Sequence, residues 1–276
     1  MRRLLITGGA GHVGRKLRKN LAGRFDLIRV LDRTLEAELG PREEARAGDV
    51  ADMAAVKAAM AGMDAVIHLA AQPVEAPFEV ILQSNLVGTW NVYEAARLEG
   101  VGRVIFASSN HAVGFYPRTQ TIDHLALPRP DSRYGLSKCF GEAVGALYAD
   151  KYGVKSMHLR IGNNADTPGS ERALAIWVSG RDLAQLVMIG LEHPEIHNTI
   201  VYGVSRNAAC WYDNAEAYRL GYDPQDRAED HRDAALAEEA KLTHDAADLY
   251  YQGGPFCSIE YAGDGIPAGF AAAAKG

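Results

Sequence analysis

Tyr134 and Lys138, in the phrase YGLSK, are the residues most able to do chemistry together. Spaced four apart on a helix, they share a face. A phenol titrates at about 10 and is a poor base at neutral pH. A neighbouring ammonium stabilises phenolate, so the oxygen can take a proton from a hydroxyl while hydride leaves the same carbon. The competing reading is a helical pair with a solvated lysine. Ser108 and Ser109 end the apolar run VIFASS. Ligands collect at the carboxyl ends of parallel strands, so a hydroxyl there would hold the substrate oxygen beside Tyr134. A strand-end turn of small polar residues gives the same pattern. Asn110 and His111 share this edge and are candidates for substrate hydroxyls, although a single histidine also reads as a structural residue. Arg172 reads equally as a guanidinium for bidentate carboxylate recognition or as a solvated charge.

The first element that must position these groups is RRLLITGGAGHVG, residues 2–14. Leu4, Leu5 and Ile6 read as a buried parallel strand. Gly8, Gly9, Gly11 and Gly14 crowd the turn into a helix, whose free N–H groups and dipole suit a pyrophosphate. An ordinary Gly-rich turn is the weaker alternative, because Asp32 closes the next strand and its carboxylate would bind the ribose hydroxyls of NAD and repel a 2′-phosphate. Arg33 beside it is of the type that accommodates such a phosphate.

Strand and helix signals then alternate, which predicts an α/β fold with a doubly wound parallel sheet. The helices are expected at 15–22, 52–61, 79–99, 134–152 and 181–192. Strands are expected at 27–32, 46–50, 65–69, 104–107, 157–161 and 199–202, with loop over 33–44, 115–133 and 163–179. Residues 1–162 are read as the dinucleotide-binding core carrying the Tyr/Lys pair. Residues 163–276 are read as a smaller substrate-binding and C-terminal region interleaved with that core. The Gly/Ala-rich end has no periodic pattern that would place an element in it.

The chain has 276 residues, 47% of them hydrophobic, and a net charge of −6. Such a balance offers no footprint for nucleic acid or an anionic membrane surface. No apolar run is long enough to span a bilayer, and the early first strand leaves no room for a signal peptide. Cys139, Cys210 and Cys257 are far apart and odd in number, the pattern of reduced thiols in a cytoplasmic protein. His193 and His197 have helical metal-ligand spacing, but Pro194 breaks the helix between them, so no metal is expected.

Together, TGGAGHVG (7–14), Asp32, HLAA (68–71), FASSN (106–110) and YGLSK (134–138) resemble the extended short-chain dehydrogenase/reductase family. The resemblance implies a Rossmann-type fold, NAD as cofactor, and catalytic roles for Ser109, Tyr134 and Lys138. It implies cofactor contacts from Gly8, Gly11, His12, Val13 and Gly14. Asp32 and Arg33, Asp49 and Val50, and Leu69, Ala70 and Ala71 would continue them. Asn85, the family's structural asparagine, would sit beside the site, with Ser108, Ile161, Tyr134 and Lys138 also at the cofactor.

Longer phrases narrow the resemblance to members that oxidise sugar acids: VEAPFEVILQSNLVGTWNVYEAAR, FASSNHAVGFYP, YGLSKCFGE, RIG (160–162), VYG (201–203), WYDN (211–214) and YQGGPF (251–256). The implied reaction is NAD-dependent oxidation of the anomeric carbon of galacturonate or glucuronate to the aldarolactone, with Tyr134 as base. Ser109, Asn110 and His111 would bind sugar hydroxyls and Arg172 the C6 carboxylate; Gln72, Tyr134 and Asn163 complete the implied substrate set. A homo-oligomer paired through the helices at 79–99 and 134–152 is also implied. His12 stands where a glutamine is familiar, and Asn163–Asn164 follow RIG where a small residue is usual. The rival readings are a nucleotide-sugar epimerase or dehydratase and a non-catalytic NAD-sensing protein.

Overall fold

Leu4, Leu5 and Ile6 are completely buried, and burial on both faces drives their strand to the interior of a sheet. The structure, a computed structural model, describes residues 2–34 and 38–273. Its strands are β1 (Arg3–Thr7), β2 (Leu27–Asp32), β3 (Glu43–Ala47), β4 (Ala65–His68), β5 (Arg103–Ser109), β6 (Lys155–Ile161) and β7 (Asn198–Gly203). All pair in parallel, in the order β3-β2-β1-β4-β5-β6-β7. The order reverses between β1 and β4, which is where an open parallel sheet offers a ligand crevice. The expected α/β, Rossmann-type parallel sheet is therefore the observed one.

Helices α1 (His12–Leu21), α2 (Met53–Met60), α3 (Phe78–Ile81), α4 (Gly88–Leu98), α5 (Arg133–Tyr152), α6 (Glu171–Ile176) and α7 (Gly180–Glu192) flank the strands. Alternation along β1 splits the core: Leu4 and Ile6 pack with Leu17 of α1 and Leu183 of α7, whereas Leu5 packs with Val56 of α2, Val92 of α4 and Val144 of α5. The later chain adds α8 (Ala215–Arg219), α9 (Arg232–Glu239), α10 (Ala246–Tyr250), α11 (Pro255–Ser258) and α12 (Ala268–Ala273). Among the described residues, no helix is long and apolar enough to cross a membrane.

Four sequence expectations need correction. The third strand is Glu43–Ala47, earlier than the expected 46–50 and starting inside the expected loop. Its hydrophobic pattern is absent because it is an edge strand whose acids pair with neighbours: Glu43 with Arg18 at 2.5 Å and Glu44 with Arg29 at 2.5 Å. Of that expected loop, residues 35–37 lie outside the described residues, as do the last three of the Gly/Ala-rich end; α12 stands within the stretch where no element was expected. The expected helix over 79–99 is interrupted by a wider π turn, Leu82–Val87, which carries Asn85. Residues 163–179, expected as loop, contain α6, whose start is capped by Ser170 Oγ accepting from Ala173 N at 3.0 Å.

Candidate active site

The turn between β1 and α1 is shaped for an anion. Gly8 has φ +71°, and a Cβ there would sit 2.6 Å from the Ala70 nitrogen. A Cβ on Gly14 would sit 2.6 Å from both Gly8 O and Gly9 Cα. Gly11 caps α1 with no side-chain hydrogen bond, and no acidic residue lies in the first turn, so the amides at His12, Val13 and Gly14 begin the helix without a protein anion. Asp32 closes this end: Oδ2 accepts from Ala10 N at 3.0 Å and Oδ1 from Arg33 N at 2.8 Å. A cavity of about 380 Å³ runs along these groups. Gly8, Gly11, His12, Val13 and Gly14 line one side, and Asp32, Arg33, Asp49 and Val50 line another. Leu69, Ala70 and Ala71, following β4, continue it. A cradle without Cβ atoms, a free helix start and a carboxylate at the end of β2 together fit a dinucleotide.

A second cavity, about 690 Å³, adjoins the first through His12, Val13, Leu69, Ala71 and Pro73. Tyr134 and Lys138, from the first turns of α5, line it with Ser109 at the end of β5. Ser132 Oγ accepts from Gly135 N at 2.9 Å, and Glu75 accepts from Tyr134 N at 3.0 Å, so two side chains fix where α5 starts. Lys138 Nζ lies 5.3 Å from the Tyr134 ring centroid and 5.2 Å from that of Phe106. The expected depression of the phenol is reversed in this structure. Burial pushes Tyr134 up to about 12, with the Ser109 hydroxyl pulling the other way and Asp131 adding to the rise. The same burial brings Lys138 down to about 8.

Ser108 and Ser109 part company because successive strand residues point to opposite faces. The Ser108 hydroxyl donates to Glu142 Oε1 at 2.6 Å, and Glu142 holds Arg160 by two bonds of 2.9 Å. Ser108 is thus anchored into a buried ion pair while it also lines the second cavity. Asn85 and Gln72 line neither cavity. Asn85 accepts from Gln72 N at 2.8 Å and donates to Gln72 O at 3.1 Å and to Ser137 Oγ at 2.9 Å. Asn85 acts as a strut behind the wall, holding Gln72 and α5 in place.

The remaining expected groups converge on the second cavity: Asn110, His111, Ile161, Asn163 and Arg172. With its amide oriented to satisfy both ends, Asn110 donates to Ile161 O at 3.1 Å and accepts from Arg172 Nη2 at 2.9 Å. Arg172 Nε donates to Gln252 O at 2.8 Å. Among the described residues no carboxylate pairs with Arg172, and burial lowers its affinity for its proton. An arginine held by neutral groups inside a cavity is ready for a ligand's anion. His12 Nε2 lies 2.9 Å from Asn164 O, linking the turn to the segment after β6. His193 and His197 do not converge: His197 is 2.7 Å from Asp150, and among the described residues no cluster of His, Cys, Asp or Glu could hold a metal.

Residues 4–178 match the model of the NAD dependent epimerase/dehydratase family. The chain belongs to that family. It is 46% identical to the uronate dehydrogenase of Pseudomonas putida, over 92% of this chain and 95% of the relative. Among solved structures it resembles a variant of the Agrobacterium tumefaciens uronate dehydrogenase complexed with NAD, with TM-score 0.89, 40% identity, and coverage of 94% of this chain and 97% of that one. It likewise resembles the glucuronic acid dehydrogenase of Chromohalobacter salexigens, with TM-score 0.89, 40% identity, and coverage of 93% and 97%.

Some site residues of this family member escaped the sequence reading. Asp131 lies 2.6 Å from His111 Nδ1, and Phe256 stacks on the His111 ring at 3.9 Å between centroids. Phe256 stands in the YQGGPF phrase and Asp131 just before the YGLSK helix, so the phrases contained them. Neither position has a spacing that announces chemistry, and only folding brings β5, α5 and α11 together.

Proposed function

We propose that the chain is an NAD-dependent dehydrogenase that oxidises the anomeric carbon of a free hexuronic acid to the aldarolactone. One observation carries the substrate class: Arg172, without a protein carboxylate among the described residues, lines the same cavity as Tyr134 and Ser109. A sugar carboxylate supplies the missing charge, whereas a neutral sugar leaves a buried guanidinium unpaired. The relatives named above support the same class.

When bound, NAD would supply the hydride acceptor, and the Gly8–Gly14 turn, Asp32 and the Leu69–Ala71 segment would hold it. Ser109 orients the reacting hydroxyl. Tyr134 Oη takes the proton of that hydroxyl as the carbon is oxidised. Tyr134 acts as the phenolate, and the Lys138 ammonium, 5.3 Å from the ring centroid, favours that form by its charge. Asn110 steadies Arg172 from the side, and His111 and Asn163 face the sugar. Arg172 and Phe256 both come from residues 163–276, which supports the reading of that region as substrate-binding.

Trp90 and Leu98 of α4 and Leu136 and Leu147 of α5 are exposed, which supports a homo-oligomer packed through these helices; light scattering would measure its mass. The chain works in the cytoplasm, a reading supported by three free cysteines. The activity is tested by mixing the protein with NAD and, separately, galacturonate, galactose and UDP-glucose, and following NADH. Formation with the uronate alone is the expected result. Isomerisation of UDP-glucose without NADH would replace this reading with that of an epimerase.

A further inference from the structure

We infer that Asp131 is a positioning residue: it fixes the His111 proton on Nδ1 and leaves Nε2 as the acceptor for a sugar hydroxyl. The inference rests on the uronate-oxidising reading above. Asp131 Oδ2 lies 2.6 Å from His111 Nδ1, and the Asp131 side chain has 0% exposure. Its other oxygen accepts from Ser132 Oγ at 2.7 Å. An ionised carboxylate only accepts hydrogen bonds, so the proton between the two residues belongs to Nδ1. The room for this carboxylate is built by the backbone: a Cβ on Gly114 or on Gly253 would overlap it.

The ring itself is clamped. Phe256 stacks on it at 3.9 Å and 24°, and Tyr134 meets it edge-on at 5.8 Å. His111 lines the cavity with Tyr134 and Arg172, and among the described residues no protein atom bonds to its Nε2. Its neighbour Asn110 has both ends of its amide used inside the protein, on Ile161 and Arg172. Among the described residues His111 Nε2 has no such bond and stays free to accept. A bare nitrogen there accepts from a hydroxyl and gives nothing to an ether or a deoxy position, which makes Asp131 a determinant of sugar recognition that does not itself touch the sugar.

The first test uses the unaltered protein labelled with ¹⁵N-histidine, above the pH at which its histidines are charged. A signal of a ring with a protonated Nδ1 and a bare Nε2 should vanish in His111→Gln. A protonated Nε2 on His111 overturns the inference. The second test is a double-mutant cycle on uronate oxidation. Asp131→Asn should lower kcat/KM by about ten- to hundredfold, mostly through KM, as expected when a buried hydrogen-bonding group is left mispaired. Its affinity for NAD should stay within about twofold, because Asp131 lies outside the dinucleotide cavity. In the His111→Gln background the same substitution should change nothing further. An equal loss in both backgrounds means that Asp131 serves the fold alone and overturns the proposal. If Asp131→Asn does not fold, the tautomer of the unaltered protein decides. Should the unaltered protein oxidise no uronate, the substrate reading fails, while the tautomer still judges the positioning claim.

Discussion

Asn85 Nδ2 donates to Ser137 Oγ across 2.9 Å, and Ser137 in turn donates to the Tyr134 carbonyl at 2.6 Å. The π turn behind β4 is thus tied to the helix that presents the reactive phenol. Such wide turns cost helical regularity and recur at functional sites. Here the turn carries the asparagine that also holds both backbone groups of Gln72. Asn85→Ala should lose about 2–4 kcal/mol of stability, the cost of leaving several buried polar groups unpaired. Urea denaturation measures it, and a loss below about 0.5 kcal/mol would show that the strut carries no strain.

Tyr134→Phe removes the proton acceptor and little else, because the ring's contacts with His111 and Phe256 stay. Turnover should fall about 10²- to 10⁴-fold, the range for losing a general base. NAD affinity, read by fluorescence titration, should be unchanged. Full activity in this variant would move the base elsewhere.

Arg172→Ala should raise KM for the uronate by about ten- to hundredfold, the worth of charge-assisted hydrogen bonds, with a smaller change in kcat. The rate with a neutral sugar should change far less. Steady-state kinetics on a uronate and its neutral counterpart make the comparison. Equal losses on both would deny the guanidinium its role in choosing acids.

Burial lowers Lys138 from 10.5 to about 8. Between those values the unfolded chain still holds the proton and the folded chain does not, so stability rises with pH across that window. Below it both states are charged, and the full penalty of burying the cation stands. Lys138→Met should therefore melt higher than the parent at about pH 7, and the gap should close between pH 8 and 10.5. A melting gap indifferent to pH would contradict the depressed amine.

Asp32 accepts from the Ala10 and Arg33 amides, so it braces the Gly-rich turn as well as facing the dinucleotide cavity. Asp32→Ser should raise KM for NAD by about tenfold and reduce discrimination against NADP, since the carboxylate that repels a 2′-phosphate is gone while Arg33 remains. Initial rates with both dinucleotides measure it, and an unaltered preference for NAD would assign the selection to other groups.

Much of the fold was legible because its strands are apolar and its turns are punctuated. Leu4–Ile6 and the glycines after them announce a strand, a turn and a helix, and Tyr134 with Lys138 announces a shared face. What escaped did so for identifiable reasons. β3 is hidden because Glu43 and Glu44 are neutralised by Arg18 and Arg29 from distant segments, which no local window contains. α6 is too short for periodicity to stand out from the loop around it. The rise of the Tyr134 phenol is not legible in the chain, because the spacing to Lys138 is visible there whereas the burial that opposes it exists only after folding. Asp131 is the same kind of case, a carboxylate made important by glycines that arrive from elsewhere.

The two cavities share part of their lining, with His12, Val13, Leu69, Ala71 and Pro73 belonging to both. Anyone redesigning the protein for a new sugar inherits that economy: a substitution in the shared wall alters the fit of coenzyme and sugar in one stroke. Libraries aimed at selectivity alone should start from the far side, at Asn163 and Phe256, and leave the common boundary as it stands.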